Sequence, residues 1–133
     1  MRRELNVKVT NHRDLIAYQK AVELQQAVFE ISKTFPKEEV YSLTDQCRRS
    51  SRSIGANIAE AWRKRRYEAH FVSKLTDADG ENAETDHWLG TALQCGYIDC
   101  TRHEMLLAQS TEVGKLIGAM IQTAPRWCAS VRS

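Results

Sequence analysis

Seven cations bracket one short apolar run. Arg48, Arg49 and Arg52 precede "SIGANIA" (residues 53–59), and Arg63, Lys64, Arg65 and Arg66 follow it. A guanidinium is a planar fork of donors that grips two oxygens at once, so this density of arginine suits phosphates or carboxylates. At about 100° per helical residue, Arg48, Arg49, Arg52 and Arg63 share roughly a quarter of the circumference, joined by Arg66 if the helix reaches it. Leu43, Cys47, Ile54, Ile58 and Ala61 lie nearly opposite. Ala56 and Ala59 sit between the arginines, with Gly55 at the edge, where small side chains admit another backbone. Three readings follow: a solvated cationic face, a subunit contact in which the arginines meet carboxylates such as those of residues 77–86, or a phosphate-tracking surface. The third makes Arg48, Arg49, Arg52, Arg63, Lys64 and Arg66 the nucleic-acid-binding candidates.

Other chemistry is thinly supported. His12, His70, His87 and His103 lack the paired spacing, with a carboxylate, of zinc-binding helices. Glu84-Thr-Asp-His87 is a single E-x-x-H, whereas a di-iron bundle needs two, and the last long helix supplies none. No glycine-rich phosphate loop and no nucleophile elbow occur, so no catalytic residue, metal or cofactor is expected. Trp62 and Trp88 read as core or interface anchors.

Net charge is only +2, which hides a separation by sign between the arginine run and Asp77, Asp79, Glu81, Glu84 and Asp86. No apolar run reaches the ~18 residues of a membrane span, and no apolar segment follows the opening cations, so neither a membrane nor secretion is expected. The four cysteines, Cys47, Cys95, Cys100 and Cys128, have no short paired spacing and read as free thiols of a cytoplasmic protein. Cys47 and Cys95 are placed on apolar helix faces.

The elements that must position these groups are helical. The 133 residues, 42% hydrophobic and 27% charged, suit one soluble domain. Helix one is expected from Asn11, as N-cap, to Phe35, where Pro36 discourages continuation. Helix two opens at Ser42 with Asp45 as a short capping box, and buries Leu43, Cys47, Ile54, Ile58, Ala61 and Trp62. Helix three begins near Tyr67, carries the stripe Phe71, Leu75, Ala78, Asn82, Thr85, Leu89 and Leu93, and ends at Gly96. Helix four starts at Thr101 with Glu104 as a capping box and stops at Pro125. The expected fold is all-α, an antiparallel up-down four-helix bundle over residues 11–125, with tails at 1–10 and 126–133. "LNVKV" near the start is the one strand-like stretch.

Asn82 and Thr85 interrupt an apolar stripe and Asn57 flanks another, so all three are expected as core polar groups hydrogen-bonded across helices. Thr76, Gly80 and Ala83 make a second small-residue face, which favours self-association.

One assembly of residues carries a family resemblance: Asp14, Leu15, Tyr18, Gln19, Lys20 and Ala21, then Phe35 and Pro36, then Gln46, Arg48 and Arg49, then Ser53, Ile54, Asn57, Ile58, Ala59 and Glu60. Ala78, Gly80 and Glu84 complete it. Over residues 12–122 the chain resembles the four-helix-bundle proteins encoded by intervening sequences of bacterial large-subunit ribosomal RNA genes. The resemblance implies an up-down bundle that assembles as a homopentamer, with no enzymatic activity established for the class. Similar proteins accompany diversity-generating retroelements, where the accessory subunit binds the reverse transcriptase and nucleic acid through a basic surface. RNA or DNA, a reverse transcriptase or another protein, and copies of itself are therefore the partners implied. The sequence departs from the pattern at Ala61, where the family has glycine, and at Gly80-Glu81-Asn82, where it has Gly-Ser-Leu. A competing likeness is narrower: Arg65 and His70 have the R-x4-H spacing of HEPN ribonucleases, helical proteins whose arginine and histidine act on the RNA backbone.

Overall fold

The computed structural model describes residues 8–132, with side chains to residue 129. It holds four long helices, α1 (Ile16–Ser32), α2 (Leu43–Arg63), α3 (Glu68–Gln94) and α4 (Cys100–Gln122), and a short fifth, α5 (Ala124–Arg132). No strand occurs among the described residues; most of "LNVKV" lies outside them, and Lys8 and Val9 have no regular structure.

The ends of the helices follow local chemistry that periodicity does not carry. Asn11 caps a 3-10 turn (His12–Asp14), not α1: its Oδ1 accepts from the Arg13 amide at 2.8 Å, and Asp14 accepts from the Asn11 amide at 3.3 Å. Leu15 is then extended, with φ −73° and ψ 129°, so the helix proper starts at Ile16. It stops at Ser32, short of the expected Phe35, where the backbone tightens to three-residue turns ahead of Pro36: the Thr34 and Phe35 amides donate to the carbonyls of Ile31 and Ser32 at 3.0 and 3.2 Å. Ser42 does precede α2, but its hydroxyl donates to Glu39 Oε1 at 2.6 Å, and that carboxylate accepts from the Leu43 amide at 3.3 Å. Glu39 therefore caps α2, in place of the expected Ser42–Asp45 box. Asp99, not Thr101, caps α4, accepting from the Arg102 amide at 2.8 Å.

Gly96 ends α3 as expected. Its φ of +77° is a left-handed conformation that glycine takes without a steric penalty. The Tyr97 amide reaches back to the Ala92 carbonyl at 2.9 Å and the Gly96 amide to Leu93 at 3.0 Å, the paired bonds of a Schellman stop.

The segment beyond Pro125, expected as a tail, is instead α5. Proline is tolerated in the first turn of a helix, where its missing N–H has no intrahelical acceptor to lose. Cys128 is buried, and the Trp127 ring meets Trp62 edge-on at 6.1 Å while its Nε1 donates to Thr123 at 3.0 Å. Ser133 lies outside the described residues, as do residues 1–7 of the expected N-terminal tail.

α1 packs against α2 and α4, α3 packs against the same two, and α5 lies on α3 and α4. Leu24, Val28, Ile54, Ile58, Phe71, Leu75, Leu89, Val113 and Ile117 form the shared interior. Burying a side chain of this size contributes about 1.5–3 kcal/mol. Ala61 is fully buried, so α2 accommodates a methyl group where the family pattern has none. Cys47 is buried too, which pushes its thiol pKa up to about 12, whereas Cys95, expected on an apolar face, is exposed at the end of α3.

Polar groups stitch the long helices together. Asn82 Nδ2 donates to the Ser110 carbonyl at 2.9 Å and its Oδ1 accepts from the Ser110 hydroxyl at 3.0 Å, joining α3 to α4. Thr85 bonds Ser50 at 2.9 Å, joining α3 to α2. Asn57 departs from expectation: it is half-buried and donates to Ser53 O, one turn back on its own helix, at 2.9 Å. Gly55 also serves the interior. A Cβ there would touch the Tyr18 ring at 3.5 Å, so the close approach it permits is by α1 of the same chain.

Candidate nucleic-acid interface

α2 runs unbroken through Gly55 to Arg63, with its apolar side buried, so the cationic side is one continuous face. Neighbouring helices divide that face in two.

In the first half the arginines are occupied. Arg48 Nε donates to Ser32 Oγ at 2.8 Å, and its guanidinium lies 4.9 Å from the centre of the Phe29 ring. Arg49 reaches α3, pairing with Glu81 at 3.4 Å and with Glu84, whose carboxylate also accepts from Trp88 Nε1 at 3.1 Å. Desolvation pulls the Arg49 pKa down, but Glu84 and Glu81 outweigh it and leave it raised. Glu81 and Glu84, two of the carboxylates that could have met a neighbouring subunit's arginines, are thus met within the chain. Arg52 is exposed and lies 5.6 Å from the Phe29 ring.

In the second half they are not. Arg63, Lys64 and Arg66 are exposed and make no ion pair with a described residue. Arg65 alone turns back. Its guanidinium sits 3.4 Å above the Trp62 ring and Nε donates to the Trp62 carbonyl at 2.9 Å, satisfying one of the open carbonyls that end α2. Desolvation lowers its pKa, with Cys128 acting in the opposite sense. His70 is exposed and tilted against Tyr67, ring centres 5.3 Å apart. The two members of the R-x4-H pair therefore rest on different aromatic rings, and no contact between them is present among the described residues.

Two further exposed cations, Arg13 and Arg126, lie on other elements. The His12 pKa is lowered by burial first, then by Arg13 and Arg63, so both arginines flank that imidazole. Arg126, on α5, lines a cavity of about 520 Å³ together with Asp14, Leu15 and Trp127. Asp14 does not neutralise the cluster through an ion pair; it accepts from the amide and hydroxyl of Thr10 at 2.9 and 3.0 Å, bonds that lower its pKa. Sequence spacing pointed to Arg63, Lys64 and Arg66, but Arg13 and Arg126 are some fifty and sixty residues away and had no local signal. Exposed cations reinforce one another's field only over about a Debye length, ~8–10 Å. They can also gain ~0.3–1 kcal/mol each at a helix C-terminus without any ligand.

Among the described residues no three His, Cys, Asp or Glu side chains are grouped to hold a metal, and no helix is long and apolar enough to cross a membrane.

No curated protein matches the chain. Among solved structures it is similar to a protein of unknown function from the S23 ribosomal protein family of Bacteroides thetaiotaomicron, 31% identical, covering 80% of this chain and 98% of that one, with a TM-score of 0.73. The family model described as "23S rRNA-intervening sequence protein" matches residues 13–119, which include α1 to α3 and most of α4. The chain belongs to the 23S rRNA-intervening sequence protein family.

Proposed function

We propose that this protein is a non-enzymatic, cytoplasmic helical bundle that binds nucleic acid through the basic end formed by Arg13, Arg63, Lys64, Arg66 and Arg126. The observation that carries the reading is the contrast on α2: Arg49 is spent on Glu81 and Glu84, while Arg63, Lys64 and Arg66 are exposed and make no ion pair with a described residue. Phosphate binding releases condensed counterions, so affinity should fall steeply with salt, by about 0.7–0.9 in log–log slope per phosphate contact. Binding of RNA and DNA measured across a salt series tests it. A flat salt response, or affinity unchanged after Arg63, Lys64 and Arg66 are all replaced by Gln, overturns it.

We also propose that copies of the chain associate as a homopentamer, the assembly that the family resemblance implies. Met105 and Leu107 on α4 are 64% and 37% exposed. Met105 borders a groove of about 400 Å³ lined also by Ala27, Ile31 and Leu106. An up-down arrangement is supported by the register between α2 and α3, where Arg49 lies beside Glu81 and Glu84 while Glu60 lies beside Lys74. Light scattering should give a mass several times that of one chain. Met105→Lys with Leu107→Lys should reduce it; an unchanged mass places the contact elsewhere.

A further inference from the structure

The turn between α2 and α3 carries more than charge. Arg63 closes α2, Lys64 to Arg66 form the turn, and Tyr67 precedes the first residue of α3. Tyr67 is 58% exposed, and His70, one helical turn on, stands at 60° to it with ring centres 5.3 Å apart. Rings inclined in this way do not cover each other face to face, so aromatic surface remains open to solvent. The nearby carboxylate of Glu60 is held by Lys74 at 3.0 Å, which blunts its repulsion of an incoming phosphate.

We propose that this turn selects unpaired nucleic-acid strands, with a base stacking on the ledge of Tyr67 and His70 while Arg63, Lys64 and Arg66 hold the phosphates on either side. The proposal rests on the nucleic-acid reading above and gives it a substrate class. In a duplex the base faces are already stacked on their neighbours, so an exposed ring gains nothing there; in a single strand every base offers a free face. Cations interleaved with an exposed ring are the pattern by which single strands are held without strong sequence preference. The other strongly exposed tyrosine, Tyr41, lies at the α1–α2 connection near Glu38 and Asp45 in sequence, and has no such run of cations beside it. Trp62, which adjoins Arg63 in sequence as Tyr67 adjoins Arg66, is buried beneath Arg65 and cannot take this part.

The test uses the full chain and two fluorescein-labelled probes, an RNA strand and an RNA duplex of about twelve residues or base pairs, a length within the span of known single-strand sites. Anisotropy at low salt should show Tyr67→Ala weakening the strand about tenfold while the duplex is unchanged, and Tyr67→Phe leaving both as they were. His70→Ala should produce a smaller loss in the same direction. Equal effects of Tyr67→Ala on strand and duplex, or no effect on either while replacing the three cations weakens both, overturns the ledge and leaves the nucleic-acid reading standing. A wild-type chain with no affinity for either probe overturns both. Far-UV circular dichroism of each variant separates lost contacts from lost helix.

Discussion

Arg49 and Arg63 lie on the same side of α2, one toward each end, and meet opposite circumstances. Arg49 finds Glu81 and Glu84 waiting on α3, and its neighbour Arg48 finds Ser32 and Phe29 at the end of α1. Arg63 sits where α2 gives way to a turn, followed along the chain by Lys64 and Arg66, and together with Arg13 it lowers the His12 pKa after burial has done so. A helical wheel assigns both arginines to one face. What separates them is whether another helix supplies a carboxylate at that height.

The largest effect that sharpens this contrast is on binding. Replacing Arg63, Lys64 and Arg66 with Gln should weaken nucleic-acid affinity at least tenfold at low salt and reduce the log–log salt slope by about 2–3, with little change in melting temperature. Replacing Arg48 and Arg49 in the same way should do the reverse, losing stability and keeping most of the affinity. If the two sets exchange roles, the division of α2 is wrong.

Thr85→Val should rank second. It removes the hydroxyl that donates to Ser50, leaving Ser50 only its long 3.4 Å bond to the Cys47 carbonyl beneath the anchored half of α2, and should cost about 1–3 kcal/mol in urea denaturation, with nucleic-acid affinity unmoved. Third comes Arg49→Gln, which leaves Glu81 and Glu84 without their cation. Because the pair is partly exposed, the loss should stay below ~1 kcal/mol and shrink as salt is raised. A larger, salt-independent loss would mean that Arg49 is held by packing more than by charge.

The smallest effect concerns the very start of α2. The hydroxyls of Ser42 and Tyr97 and the amide of Leu43 hold the Glu39 carboxyl below its ordinary value of 4.5. A depressed carboxylate contributes stability that is fully present above 4.5 and is lost as pH falls through the folded value. Glu39 in turn pushes Tyr97 from 10.0 up to about 12, a contribution present below 10 and lost as pH rises toward 12. Glu39→Gln should flatten the acid limb of the stability–pH curve and leave the basic end's binding untouched. A curve identical to wild type below pH 4.5 would remove Glu39 from that role.

Much of the fold could be read from apolar spacing, because a buried stripe repeats whatever lies around it. Leu43, Cys47, Ile54, Ile58, Ala61 and Trp62 are all buried as their spacing predicts, and so are Phe71, Leu75, Ala78 and Leu89. Helix ends were less legible. Asp99 and Glu39 took caps that Thr101 and Ser42 also suited, and a choice between adjacent hydroxyls and carboxylates depends on loop geometry. α5 was missed because Pro125 was read as a stop when it begins a new helix. The site was half legible: spacing found the arginines, but the partners of Arg48 and Arg49 come from α1 and α3, which spacing within α2 does not carry. Asn82 and Thr85 were legible as polar groups in an apolar stripe, whereas Asn57 satisfies itself on its own helix.

The bond pair between Asn82 and Ser110 acts as a ruler. Gly114 makes room for it, since a methyl group there would meet the Asn82 amide nitrogen at 3.3 Å. Sliding α4 by one turn along α3 would carry Ser110 some ~5.4 Å away and strand a dry amide. Slippage of α4 against α3 is thus opposed by a buried amide that would lose both partners at once, as well as by the apolar stripe.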